Sequence, residues 1–170
     1  MLPLFQMFAG YNAWANERLY DAVAALPDGE YRADHGAFFG AVHGTPNHLL
    51  VADRIWMQRL TGAGDAPTQL DAILFDDFRE LRASRRLEDA RIVAYVDGLG
   101  DADMTSMVRY RTISRPAGIE QKLVYALPHI FNHQTHHRGQ VHCLLTKIVK
   151  DAPSLDLILY QRESGIGLSV

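Results

Sequence analysis

The stretch Pro128–Gln140, with the sequence PHIFNHQTHHRGQ, governs how the rest of the chain is interpreted. It places four of the eight histidines between His129 and His137, and the apolar residues around it recur with a helical period. At about 100° per residue, seven positions share an arc of about 80° on this helix: Ala126, Ile130, His133, His137, Val141, Leu144 and Ile148. His133 and His137 are therefore predicted on the buried face, where leucine would be usual.

Two histidines four residues apart on one helical face are close enough to bind one metal ion, since their Cβ atoms lie about 6 Å apart. The alternative is that each is a core histidine bonded to a protein group. Both would then need a separate buried partner, whereas one cation satisfies the two rings together. The spacing favours a metal site. His129 and His136 flank the arc, and His142 points to the opposite side.

A second helix is predicted within residues 38–60, and its start has two solutions. Either Thr45 caps a helix that begins at Pro46, or a longer helix is kinked at Pro46. His48 falls inside the apolar arc of this helix and is a third buried histidine. Asp53 points about 140° away from His48, which predicts a bond to a neighbouring helix or to solvent.

Helical periodicity also predicts helices over residues 3–25, 75–99 and 119–150, the last one kinked at Pro128. The apolar side of the 75–99 helix is predicted to consist of Phe78, Leu81, Leu87, Ala90 and Ala94. Mixed charges are predicted to cover its solvated side: Arg79, Glu80, Arg82, Arg85, Arg86, Glu88, Asp89 and Arg91.

Residues 105–114 alternate in polarity instead, which predicts a short extended or hairpin insert before a turn at residues 114–118. The polar and aromatic residues near Tyr11 are predicted to pack and hydrogen-bond between helices, with one or two of them facing a cavity as the alternative. The apolar tail, residues 155–160, is predicted to fold back onto the body. No repeat or linker divides the chain, so residues 1–170 are predicted to form a single domain.

Composition excludes several classes of protein. A hydrophobic share of 48% and a charged share of 22% are those of a globular protein, and the net charge of −3 leaves no basic surface for nucleic acid. One cysteine, Cys143, excludes an internal disulfide and favours a reducing, cytoplasmic location, with its side chain in helix packing. No secretion signal or membrane-spanning run is predicted, so a membrane partner is not expected.

Four long amphipathic helices with one short extended insert predict an all-α helical bundle, a fold that often holds metal between facing helices. His48, His133 and His137 would supply three nitrogen ligands and leave at least one position open, as in catalytic zinc sites. Histidine nitrogens suit zinc, nickel, copper or iron and do not choose among them.

The motif residues 132–140, together with residues 44–48 and 53–56, closely resembles the DinB family of bacterial metal-binding four-helix proteins. Residues 11–16 are similar to the first-helix pattern of that family. The resemblance covers nearly the whole chain, and the one departure is Pro46, where leucine is more usual. The family name refers to damage-inducible expression and not to the DNA polymerase that shares it.

The resemblance implies an up-down-down-up four-helix bundle, often a homodimer, with a divalent metal on His48, His133 and His137. Zinc or nickel are the leading metals. Related members use low-molecular-weight thiols such as bacillithiol or mycothiol in S-transfer or isomerisation, whereas many others have no known reaction. A small thiol and an electrophilic small molecule are therefore the expected partners.

The chain offers no convincing nucleophile of its own, so water or a thiol would have to serve at the metal. The leading hypothesis is a metal-dependent thiol transferase, with His129 or His136 as weak candidates for proton transfer. A metal-binding, stress-linked protein without turnover is the alternative. A metal-dependent hydrolase is a further one, although Gln134 stands where the zinc-peptidase motif needs glutamate.

Overall fold

Four long helices carry the structure, a computed structural model that describes residues 1–114 and 117–169. Two short helices, a 3-10 turn at Asp101–Thr105 and one hairpin of strands β1 (Met107–Arg111) and β2 (Gly118–Lys122) complete the described chain. The helices in chain order are α1 (Leu2–Ala24), α2 (Asp28–Arg32), α3 (Gly44–Thr61), α4 (Phe78–Asp97), α5 (Leu123–Val149) and α6 (Leu157–Ser164). The predicted mainly helical class is confirmed.

Each long helix packs against two others. Helix α1 contacts α4 and α5, and helix α3 contacts the same two helices. The largest apolar cluster joins all four long helices and includes Phe5, Met57, Ile92 and Leu127. A second cluster packs α1 and α5 against the chain around Tyr31. The polar residues discussed below lie between these helices, so packing of the apolar faces fixes where they meet.

Helix α3 begins at Gly44, with His43 as its N-cap residue. The predicted longer helix kinked at Pro46 is therefore wrong, and the other solution is nearly right, since Pro46 lies in the first turn. A proline is tolerated there because its missing N–H would have had no partner within the helix. The helix ends at Gly62, whose φ of 71° is left-handed and favours glycine.

The predicted faces of α4 are right only in part: Leu81 is buried and Phe78 packs against the core as predicted, but three apolar positions are exposed and three charged ones are buried. Leu87 is 74% exposed, and Ala90 and Ala94 are exposed as well. The buried positions are Leu81, Arg85, Glu88, Asp89, Ile92 and Val96. These positions lie on one helical face that has charged residues at its centre. A hydrophobic pattern does not predict burial of such a face, because its charges are balanced by partners on other helices.

The predicted hairpin insert is confirmed. Strands β1 and β2 pair antiparallel, with Met107 opposite Lys122 and Tyr110 opposite Ile119. The predicted turn includes residues 115 and 116, which lie outside the described residues. Helix α5 begins at Leu123, four residues later than the predicted start at Ile119, because those four residues complete β2. Pro128 lies inside α5, and the kink there stays a prediction.

The C-terminal tail folds back onto the body, as predicted. The Tyr11 hydroxyl donates to the Leu155 carbonyl at 2.7 Å, and Trp14 Nε1 donates to Glu163 at 2.8 Å. Cys143, predicted in helix packing, is exposed, since it lies on the outer face of α5. Among the helices in the described part of the chain, none combines the length and apolar character needed to cross a membrane.

Candidate metal centre

Three histidines from two helices converge, as predicted. His48 lies on α3 and His133 and His137 lie one turn apart on α5, so the packing of α3 on α5 brings the rings together. One ring nitrogen from each residue lies within 4.8 Å of the other two. The Nε2 atoms of His48 and His133 are 3.2 Å apart. Tetrahedral zinc with bonds of about 2.0–2.1 Å separates its ligand nitrogens by about 3.3 Å, so this pair already has ligand spacing.

The tautomer of His48 is set by the long connection between α3 and α4. His48 Nδ1 lies 2.6 Å from the Leu70 carbonyl oxygen, and a carbonyl only accepts, so Nδ1 carries the proton and Nε2 is free to bind an ion. Asn47 holds this connection, because its side-chain oxygen accepts from the backbone N–H groups of Leu74 and Phe75 at 2.9 and 3.0 Å. No pattern in the sequence predicted this role of Asn47.

Gln140 performs the same task for His137. Its Oε1 atom accepts from His137 Nδ1 at 2.7 Å, which leaves Nε2 of His137 available to an ion. The Nε2 amide of Gln140 contacts His136 Nε2 at 3.4 Å. His136 is therefore joined to the ligand through Gln140, and its side chain is exposed. Two of the three ligands thus have a fixed tautomer.

Burial keeps all three rings neutral. Burial, together with the neighbouring histidines led by His137, lowers the pKa of His133 to about 3. Burial also lowers the pKa of His48 and that of His137. A neutral imidazole presents a lone pair, whereas an imidazolium does not. The triad is therefore in its metal-binding protonation state at neutral pH.

The ring of Phe39 packs against the ring of His48. It stacks on His48 with centroids 4.2 Å apart and planes 25° apart. Phe39 can lie there because Gly44 at the start of α3 has no side chain, as a Cβ on Gly44 would lie 2.4 Å from the Phe39 carbonyl oxygen. The glycine therefore permits the close approach of the preceding loop to the metal ligand.

Two cavities border the triad. The first, of about 500 Å³, is lined by His48 and His133 and by Trp56, Arg59, Tyr110 and His129 among others. The second, of about 490 Å³, is lined by His48, His137, Phe39, Asp71 and His136 among others. The first reaches the surface, since Tyr125 and Ser114 in its wall are exposed. Small molecules therefore have room beside the ring nitrogens.

The two weak candidates for proton transfer, His129 and His136, each line one of these cavities. The His129 ring lies 5.7 Å from that of His133, centroid to centroid, and packs against Trp56. Burial lowers the pKa of His129, and the charge of Arg59 adds to this effect. A proton-transfer role for either histidine stays a prediction.

Asp53 and Gln134 face away from the triad, into a buried polar cluster that the sequence analysis missed. Gln134 donates to Asp53 at 2.6 Å, which confirms that Asp53 bonds a neighbouring helix. Asp53 also pairs with Arg85 at 2.7 Å, and Arg85 pairs with Asp89 at 2.9 Å. Arg85, predicted on a solvated face, is 1% exposed. Because Gln134 is committed to this cluster, it takes no part at the metal centre.

The buried cluster continues to α1 and the far side of α5. Asn16 donates to Asp89 at 2.9 Å, and Asn12 donates to the same oxygen at 3.2 Å. Arg138 in turn donates to the side-chain oxygens of both asparagines. Two aspartates and two arginines thus balance in charge, as buried ions require. Burial nevertheless raises the pKa of the Asp89 carboxyl to about 6.

Fold and site together define a class: a mainly helical protein in which one histidine of α3 and two of α5 are placed to hold a metal ion. Comparison with known proteins identifies the family within this class. The profile of the DinB family matches residues 1–165, and the chain belongs to that family. It is 23% identical to Protein DinB of Bacillus subtilis (strain 168) over 159 residues, which cover 88% of this chain and 89% of the relative.

Proposed function

We propose that His48, His133 and His137 bind one divalent transition metal ion, zinc or nickel, and that the protein uses it to transfer a small thiol to an electrophile. The observation that supports metal binding best is the convergence of three ring nitrogens within 4.8 Å. Two of the rings have their protons held on Nδ1 by Leu70 and Gln140. Three neutral nitrogen ligands leave at least one position open, which is typical of catalytic sites.

When bound, a divalent ion lowers the pKa of a coordinated thiol, which supplies a nucleophile at neutral pH. The residues of the chain have separate tasks around that chemistry. Leu70 and Gln140 orient the ligands, while the first cavity holds the organic part of the substrate beside His133. His129, with its lowered pKa, is positioned to accept a proton from a thiol that enters this cavity.

The first cavity favours turnover over a purely structural ion. A structural site is normally closed by protein ligands, whereas this one borders a space of about 500 Å³ that reaches the surface. Hydrolysis is less well supported, since Gln134 is buried against Asp53 and the first cavity has no carboxylate in its described lining; the acidic residue beside the triad, Asp71, lines the second cavity. We further propose that the four long helices form an up-down-down-up bundle. We also propose that the protein is a homodimer located in the cytoplasm. The pairing of α1 and α3 with α4 and α5 supports the bundle.

Two measurements test this function. Calorimetric titration with zinc should show one site per chain in the wild type and in His142→Ala, a matched control on α5 outside the triad. Replacing His48, His133 or His137 by alanine should weaken binding by at least about a hundredfold, since loss of a supporting residue alone costs about 10- to 100-fold. Unchanged zinc uptake by the variant lacking all three histidines would refute the site.

The thiol reaction is tested separately. Zinc-loaded and nickel-loaded protein should accelerate the conjugation of bacillithiol, mycothiol or cysteine with chlorodinitrobenzene, and the acceleration should disappear in His133→Ala and persist in His142→Ala. A chelator should abolish the rate and added metal should restore it. Zinc binding without any metal-dependent rate would refute the transferase and favour the metal-binding protein without turnover.

A further inference from the structure

Arg59 places a permanent positive charge in the wall of the first cavity, and nothing described there neutralises it. The described residues that line this cavity include neither aspartate nor glutamate. Within residues 1–114 and 117–169, the contacts of the Arg59 guanidinium are one backbone carbonyl and two aromatic rings. A half-buried cation without a counter-ion is costly, so the cavity is electrostatically suited to an anion.

The guanidinium is held in a fixed orientation. It lies 4.8 Å from the centroid of Trp56 and 4.4 Å from that of Tyr110, and its Nη2 atom donates to the Arg111 carbonyl at 3.0 Å. These contacts leave Nε, Nη1 and one N–H of Nη2 without a partner among the described residues, so one pair of parallel donors stays available: the free N–H of Nη2 with that of Nε or Nη1. A planar group with two adjacent donors matches the two oxygens of a carboxylate. The aromatic rings therefore preorganise Arg59 for such a ligand.

Helix α3 aligns Arg59 with the metal centre. His48, Ala52, Trp56 and Arg59 lie on one face of this helix and all line the first cavity. Eleven residues correspond to about 16 Å along the axis, and helical side chains lean toward the N-terminus, which brings the guanidinium back toward His48. Arginine is the longer of the two side chains, so the guanidinium reaches further back than His48 does, and we take roughly 10 Å as the span that a ligand must bridge.

We propose that Arg59 binds the carboxylate end of an elongated monoanionic substrate whose opposite end lies at the histidine triad. A single cation matches a single negative charge, which favours a carboxylate over a dianionic phosphate. The apolar walls of Ile55 and Trp56 suit an alkyl or aromatic chain between the two ends. This inference extends the proposed function, because it specifies the substrate class that the same cavity accepts.

Thiols of matched length test the proposal. Zinc-loaded protein is titrated calorimetrically with mercaptooctanoate, which spans roughly the required 10 Å, and with mercaptooctanol, its uncharged equivalent. The carboxylate should bind about tenfold more tightly than the alcohol, the effect of one charge-assisted hydrogen-bonded pair. Arg59→Gln should remove this advantage and leave mercaptooctanol binding unchanged, which also shows that the variant is folded and binds zinc. Mercaptopropanoate is too short to reach both ends and should show no advantage.

Two further variants sharpen the result. Arg109→Gln is the matched control, because Arg109 is paired with Glu120 and lines a neighbouring cavity but not the first one. Arg109→Gln should keep the advantage. Because Arg59 lines the neighbouring cavity as well, loss of the advantage in Arg109→Gln would place the carboxylate in that cavity and overturn its assignment to the first cavity beside the triad. Arg59→Lys should keep only part of the advantage, since lysine lacks the planar pair of donors.

The failure of this inference and that of the proposed function are distinguishable. Equal affinity of wild type for mercaptooctanoate and mercaptooctanol would overturn the carboxylate site and leave thiol binding at the metal intact. If neither thiol binds, octanoate decides the question alone, because it has no thiol and needs no metal. Perturbation of the Trp56 indole NMR signal by octanoate in wild type, absent in Arg59→Gln, would support the site. Its absence in both proteins would refute it.

Discussion

Gln140 Oε1 lies 2.7 Å from His137 Nδ1, one turn along α5 from the ligand that it orients. This bond both fixes the tautomer of His137 and connects it to His136, whose ring the same amide contacts. An acceptor placed in this way raises the basicity of the ligating nitrogen and holds the ring plane.

Gln140→Ala should lower zinc affinity by about 10- to 100-fold with little change in folding, because His137 then loses its orienting acceptor. Gln140→Glu keeps an acceptor oxygen at the same place and should retain most of the affinity. Competition with a chromogenic chelator measures both variants. Equal losses in the two would mean that the side chain acts through packing and not through its acceptor.

Acid should destabilise the metal-free protein through His133. Its pKa is about 3 in the folded chain, against an ordinary 6.5, so between these values the unfolded chain binds a proton that the folded chain excludes. The free energy of unfolding therefore falls as the pH decreases through this window. Urea unfolding in chelator at about pH 7 and about pH 4.5 should show a smaller loss in His133→Asn than in wild type. The raised pKa of Asp89 increases the free energy of unfolding as the pH decreases, but it does so equally in wild type and in His133→Asn. Identical losses in the two would contradict the assignment.

Arg85→Met should destabilise the protein by about 3–5 kcal/mol, because it leaves the buried carboxylates of Asp53 and Asp89 without their cation. The next residue provides the matched control. Arg86 is exposed and pairs with Glu17, so Arg86→Met should cost no more than about 1 kcal/mol. Urea unfolding of the metal-free proteins measures both changes, and similar costs at the two positions would show that the buried pairs contribute little.

Two glycines should respond oppositely to alanine. At Gly44 the new methyl group meets the Phe39 carbonyl, so Gly44→Ala should cost about 1–3 kcal/mol and weaken zinc binding by displacing the ring that packs on His48. Gly139 lies inside α5 with open space around it, and Gly139→Ala should stabilise the protein by about 0.5–1 kcal/mol. Thermal melting and zinc titration of both variants check this contrast. Unaltered zinc affinity in Gly44→Ala would show that the packing of Phe39 on His48 does not contribute to zinc binding.

Periodicity predicted the four long helices and the triad because both depend on local spacing. His133 and His137 share a face of α5 by arithmetic alone, and the same arithmetic placed His48 on the inner face of α3. The hairpin was predictable for the same reason, since Met107–Arg111 alternate in polarity. These patterns are local, whereas the meeting of His48 with His133, 85 residues away, was predicted from the expected helical bundle and the family resemblance.

The buried ions were not predictable in this way. Arg85 and Asp89 have the composition of a solvated helical face, and only Asp53 on α3 and the asparagines on α1 make their burial favourable. The supporting acceptor of His48 is equally non-local, because Leu70 is 22 residues away, in a connection that Asn47 holds at Leu74 and Phe75. Helix α5 starts later than predicted for a related reason, because the residues predicted as its first turn pair with β1 and form part of β2.

Neighbouring residues of α5 alternate between two tasks, since His133 precedes Gln134 and His137 precedes Arg138. Each histidine faces the cavities while the residue after it is fastened to the charged interior. A shift of α5 by one residue would break the hydrogen bonds of both Gln134 and Arg138. The buried polar cluster therefore sets the position of the two histidine ligands along the helix axis. The ligating side chains can therefore be exchanged to suit another ion while the scaffold that spaces them stays as it is.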